Sequence, residues 1–284
     1  MIDTPYPDLD RWVAYFEHVQ PPVLRHTVQE LDQLRANADR VNGRVLAGVI
    51  LQDPMMTLRV LAYLEKHRRK SQNADITTIE RALMMIGVDP FFNEFQNLPL
   101  VEDALKPYPH ALLGLLKVVS RGRKASHWAR EWAVMRHDLD VDEITVATLL
   151  HDTAEILMWC FAPDLALKVR ERQATDRTLR SATAQKEIYN IDLHSLQLAL
   201  VKAWHLPTLL ATLMDSGHAE HPRVRNVKLA VDLARHSANG WNDAAIPDDL
   251  TAILDLLHIG RETLLKKLGL DPADFPAEKP DENG

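Results

Sequence analysis

Three side chains near the middle of the chain are of the right types to do chemistry together: His127, His151 and Asp152. Two imidazoles and a carboxylate suit a borderline divalent cation such as Zn, Mn, Fe or Ni. The competing role is structural. Glu131 lies one helical turn after His127, and Glu155 one turn after His151. Each imidazole therefore has a carboxylate within reach on its own helix, and a His–Glu pair of that kind needs no metal.

Two helices must position these groups. From Ala111 to Met135 apolar residues recur three to four apart (Leu112, Leu115, Leu116, Val119, Trp128, Trp132), the period of an amphipathic helix, with Gly122 as a weak point inside it. Arg136-His137-Asp138-Leu139-Asp140 reads as a polar turn. Asp142 and Glu143 then open a second helix with the acidic residues its N-terminus favours, and this helix is expected to run through His151 to near Pro163. His127 lies ten residues before His137, and His151 ten after Val141. At about 1.5 Å of rise per residue each is roughly 15 Å from the turn. Antiparallel pairing sets the two imidazoles at one level, and helix rotation decides whether they face each other.

Composition bounds the rest. The 284 residues hold only ten glycines and show no alternating strand pattern, so the expected fold class is an all-α, multi-helix bundle. A net charge of −7 argues against nucleic acid as a partner, because phosphate contact needs a basic surface. The single cysteine, Cys160, excludes an internal disulfide and reads as a small core hydrophobe. No signal peptide or membrane-spanning run is expected, which predicts a cytoplasmic protein that does not enter a membrane.

Along the chain, Asp8 to Val19, Thr27 to Ala38 and Arg44 to Leu51 read as short helices. Asp53-Pro54 is an N-cap followed by proline in the first turn. The helix it opens ends in the basic run Lys66-His67-Arg68-Arg69-Lys70, read as a solvated C-terminus. Thr77-Thr78-Ile79-Glu80 is a capping box opening Ile79 to Ile86, stopped by Gly87. Lys106-Pro107-Tyr108-Pro109 marks the best internal boundary, dividing an N-terminal helical part (1–106) from a second helical half (107–270) and an acidic tail (271–284). Further helices are expected over Pro163 to Gln173, Thr178 to Tyr189, Asp192 to Ala203, from Pro207 to Met214, and over Arg225 to Ser237, Asp248 to Leu257 and Arg261 to Leu268.

Three segments in this order resemble the HDOD family, the HD-related output domain of bacterial signalling proteins, over roughly residues 20 to 240. They are Ile50-Leu51-Gln52-Asp53-Pro54 with the helix ending at Gly87, His127 with Leu149-Leu150-His151-Asp152, and Trp204-His205-Leu206-Pro207. The resemblance implies an all-helical bundle leading into an HD-like half. In active HD proteins a histidine, a His-Asp pair and a later aspartate hold one or two metals for phosphate-ester hydrolysis. By that likeness His127, His151, Asp152 and Asp232 are the candidate metal ligands, with Asp232 one residue later than the family's usual position, about 100° around a helix. Thr153-Ala154-Glu155 stands where catalytic relatives have Ile-Gly-Lys, and Gly217-His218 where many have His-His. Glu155 in place of a cation opposes stabilisation of an anionic transition state.

These residues lead to a non-catalytic signal-transduction or regulatory module with a degenerate HD-type site, acting through protein–protein contacts and needing no cofactor. A metal-dependent phosphohydrolase or phosphodiesterase acting on a nucleotide or cyclic dinucleotide is the alternative, and a nucleotide bound without cleavage is a third. The short N-terminal helix and the acidic tail leave no room for a fused signalling domain, so a signalling partner is expected in trans.

Overall fold

A computed structural model describes residues 1–37, 41–67, 76–176 and 178–274. Arg68, Arg69 and Lys70 of the basic run, and residues 275–284 of the acidic tail, lie outside the described residues. Helices occupy most of the rest. The first part holds α1 (Leu9–Phe16), α2 (Arg25–Arg35), α3 (Gly43–Ile50), α4 (Pro54–His67), α5 (Ile79–Ile86), α6 (Val88–Glu94) and α7 (Val101–Ala104). The middle holds α8 (Pro109–Met135), α9 (Val141–Leu150), α10 (Thr153–Phe161), α11 (Pro163–Thr175) and α12 (Ser181–Tyr189). Then come α13 (Leu193–Ala203), α14 (Thr208–Met214), α15 (Pro222–His236), α16 (Ile246–Leu257) and α17 (Arg261–Lys267). No β-strand forms among the described residues; one isolated bridge joins Val23 to Leu100.

Local chemistry sets these ends. Asp53 caps α4 by accepting from the backbone N–H groups of Met55 and Met56 at 2.9 and 3.2 Å. The same carboxylate accepts from Leu24 N and Thr27 Oγ1 at 2.8 and 3.0 Å, so a buried cap also locks the start of α2 onto α4. The helix α5 starts at Ile79 as expected, but its N-cap is Thr78, which accepts from Arg81 N, one residue later than the Thr77 that a capping box with Glu80 would use. Thr77 instead donates to Glu143 Oε1 at 2.9 Å, tying the first part of the chain to α9.

Two elements differ from expectation. Gly122 does not interrupt α8, which is one helix of 27 residues. A Cβ there would meet only Leu149 O, at 3.6 Å, an ordinary van der Waals distance, so the packing against α9 does not itself require the glycine. The second helix of the hairpin, by contrast, breaks in two at His151-Asp152, where Asp152 adopts φ −100°, ψ 23° and starts α10. Gln197 of α13 holds the break. Its Oε1 accepts from Ala154 N at 2.8 Å and its Nε2 donates to Leu150 O at 3.0 Å, satisfying backbone groups that the interruption would leave unpaired.

The core is continuous from Ile2 to Leu265. Its centre is α8, which packs along α9 and α15; Ser126 Oγ donates to Thr145 O and Asn226 Nδ2 to Ala129 O, each at 3.0 Å. The first helix lies against α13 of the later half, with Trp12 Nε1 donating to Tyr189 O at 3.0 Å. Cys160 is buried in this core. Val141–Phe161 is apolar enough and long enough to cross a bilayer by composition, but 78% of it is buried within the fold and it carries the break at His151-Asp152.

Candidate functional site

Breaking the hairpin at His151-Asp152 turns both side chains towards α8, α13 and α15, into a cleft of about 370 Å³. The residue that meets them from α8 is Arg121. Its Nε and Nη2 donate to Asp152 Oδ2 at 3.1 and 2.5 Å, and Nη2 also donates to Glu155 Oε2 at 2.8 Å. The other carboxylate oxygen, Oδ1, faces His151 Nδ1 at 3.0 Å and Arg235 Nη2 at 3.5 Å. An ionised carboxylate only accepts, so Nδ1 of His151 carries the proton. Arg235 Nη1 lies 4.0 Å from Asp232 Oδ1, whose Oδ2 accepts from Lys228 Nζ at 2.6 Å. The result is a ladder of alternating charge, Glu155–Arg121–Asp152–Arg235–Asp232–Lys228.

Burial makes this ladder strong. Arg121 and Asp152 side chains are 14% and 11% exposed. Burial alone would raise the Asp152 pKa, but the Arg121 guanidinium, the His151 hydrogen bond and Arg235 outweigh it and hold the group well below the usual carboxylate range. For Arg121, burial works against the charge, and Glu155 and Asp152 overcome it, pushing the pKa higher still. Beside them His194 stacks on His151 at 6.0 Å between centroids. Its Nε2 is buried with no hydrogen-bond partner among the described residues. Burial, followed by the neighbouring His151, lowers the His194 pKa.

The four expected ligands are not brought together. His151, Asp152 and Asp232 line this cleft, Asp232 behind Arg235 rather than beside His151. His127 lies on another face of α8 and lines a separate cleft. It is six residues from Arg121, about 240° around the helix, and its side chain is 69% exposed with Glu131 at 3.8 Å. The residue that takes the place facing His-Asp is an arginine. Glu155 pairs with that arginine and not with His151.

These donors do not fit a divalent cation. Both Asp152 oxygens are already engaged by groups on Arg121, His151 and Arg235, and a metal would have to displace a buried, permanently charged guanidinium. Among the described residues no group of three His, Cys, Asp or Glu side chains could hold a metal ion.

Arg121 had a signal in the sequence. Gly114, Val118, Arg121 and Ala125 fall on one stripe of α8, and three of the four are small or apolar and buried. A charge inside such a stripe needs a buried partner. Gln197 gave a similar sign, as a buried amide flanked by Leu196, Leu198 and Leu200. Arg235 gave none beyond its place one turn from Asp232.

Comparison with known proteins sets this geometry in a family. The profile of the HDOD domain matches residues 22–220, and the chain belongs to the HDOD family. Its fold is similar to that of the MmoQ response regulator from Methylococcus capsulatus, with a TM-score of 0.66 at 15% identity over 89% of this chain and 99% of that one. A virulence factor from Campylobacter jejuni gives a TM-score of 0.64 at 18% identity over 96% and 97%. An HDOD domain protein of unknown function from Geobacter sulfurreducens gives 0.50 at 17% identity, over 92% of each chain. At these identities the likeness is one of fold. Among curated proteins, no sequence matches the chain.

Proposed function

We propose that this protein is a non-catalytic regulatory module of bacterial signalling, working in the cytoplasm through contacts with a signalling partner in trans. One observation carries the reading: the Arg121 guanidinium sits on Asp152 and Glu155, where metal-dependent hydrolysis would require a cation with open coordination positions. An arginine supplies the charge that stabilises the buried carboxylates. Engaged by those two carboxylates, it offers no coordination position at which a water could be activated as it is on a metal. The ladder therefore works as a structural brace between α8, α10 and α15. The test is hydrolysis of bis(p-nitrophenyl) phosphate and of cyclic dinucleotides with Mn, Fe, Ni or Zn added, with His151→Ala as control. No turnover above the control is expected. Metal-dependent turnover lost in His151→Ala would overturn the reading in favour of a phosphohydrolase.

A second reading, binding of a nucleotide without cleavage, has one observation in its favour. Lys117 and Arg170 line the same cleft with no carboxylate in ion-pair range among the described residues, near the unpartnered Nε2 of His194. A ligand bound there raises the melting temperature by mass action. A thermal-shift series with mono-, di- and cyclic nucleotides that moves nothing eliminates it.

A further inference from the structure

His127, the residue left out of the His-Asp cleft, lines a second and larger depression. It measures about 870 Å³ and opens between α3 and the start of α5 on one wall and α8 with α9 on the other. Four cations (Arg44, Arg123, Lys124 and Arg130) face two carboxylates there, Glu80 and Asp142, in a chain whose net charge is −7. Arg130 is bound to Asp142 at 2.6 Å, and Arg44 lies 3.8 Å from Glu80. Lys124 is held over the rings of Trp128 and Trp241, at 4.7 and 5.1 Å from their centroids. Arg123 is different. Its Nε donates to the Gln52 carbonyl, and no carboxylate lies in ion-pair range of its remaining nitrogens among the described residues. His127, one turn further along α8, is the next open donor, with only the solvated Glu131 beside it.

We infer that this cleft docks an acidic segment of a partner protein, with carboxylates on Arg123 and His127. The inference rests on the reading of the protein as a module that acts by protein contact, and it names the surface and the chemistry of the partner. Three features select a peptide carboxylate. The cleft already pairs its other two arginines with carboxylates. Between the cations the cleft is backed by aliphatic residues, Leu51 partly exposed over the buried Ala47, Ile79 and Val146, which gives one apolar contact for an amphipathic segment. No Phe, Tyr or Trp lines it, so a nucleobase would find no ring to stack on. A basic island on a molecule of net negative charge also steers an acidic partner to this face.

The test is fluorescence anisotropy of the full chain with a labelled synthetic peptide of Glu-Glu-Leu repeats. Binding is expected to weaken steeply between about 50 and 500 mM salt and to fall by about tenfold or more in Arg123→Glu. His127→Glu is expected to act in the same direction. Lys117→Glu, at the mouth of the other cleft, is expected to leave it unchanged, and Arg123→Glu, which also gives up the bond to the Gln52 carbonyl, is expected to keep the native helix content by circular dichroism. The inference is overturned by no binding to the native chain, by equal binding to Arg123→Glu, or by displacement of the peptide with inorganic tripolyphosphate at lower concentration than with free peptide. The two readings fail separately. A phosphohydrolase could still bind the peptide here, and a protein with no hydrolysis could still fail to bind it.

Discussion

Arg121 is the residue on which the degenerate site turns. Removing it in Arg121→Ala strands two carboxylates, Asp152 and Glu155, in a poorly solvated cleft, and breaking a buried pair in this way costs about 3–5 kcal/mol. Urea denaturation of native and variant chains measures that directly, and a loss under about 1 kcal/mol would place the pair in solvent. The pH dependence follows from Asp152. Its folded pKa lies below the unfolded value of 3.8, so the native state binds fewer protons. The stability it supplies is complete above the unfolded pKa and is lost as pH falls through the folded one. Asp152→Asn removes that contribution, so the gap between native and variant chains is expected to be constant from about pH 5 to 7 and to close below about pH 4. A gap that grows on acidification contradicts the assignment. At this scale the sequence was partly readable. His151 and Asp152 line one cleft, but histidines share one letter whichever way they point. His127 could be separated from the site only by the rotation of α8.

Among the elements, the break between α9 and α10 decides where the site lies. Helical periodicity over Val141–Phe161 is strong enough to read as one helix. What splits it is a tertiary contact, the Gln197 amide from α13 well downstream, which no local pattern announces. Gln197→Leu leaves Ala154 N without a partner in the core and Leu150 O with only the Thr153 hydroxyl, at a cost of about 1–3 kcal/mol, and amide hydrogen exchange at Ala154 is expected to speed up. Gly114 has a comparable role on the far wall. A Cβ there would stand 2.6 Å from the Trp159 ring, so Gly114→Ala is expected to push Trp159 into the cleft or out of the core and cost about 1–3 kcal/mol. Its tryptophan fluorescence would then differ from that of the native chain. Other elements were plain from the residues. Asp53-Pro54 caps the helix it was expected to cap, because N-cap chemistry is local, and Pro163 stands at a helix start for the same reason. The short helix α7 went unread, since four residues carry no period.

For the whole molecule, the length of α8 sets two clefts on different faces of one rod. On one, the charges of the His-Asp cleft satisfy each other along the ladder. On the other, the cations around Arg123 and His127 are left partly unmatched. A protein that hydrolyses phosphate esters needs the first face open to a metal, whereas a protein that works by contact needs the second face open to a partner. The all-α class could be read from composition, and the resemblance to the HDOD family from three motifs in order. The distribution of charge between two faces could not, because it depends on which side of α8 each residue occupies. The measurement that tests the central claim most directly is elemental analysis of the chelator-treated chain after exposure to Mn, Fe, Ni and Zn, beside His151→Ala. A site filled by Arg121 predicts metal far below one equivalent in both samples. Near-stoichiometric metal in the native chain, lost in His151→Ala, would mean that the arginine yields to a cation and that the site is a working metal centre.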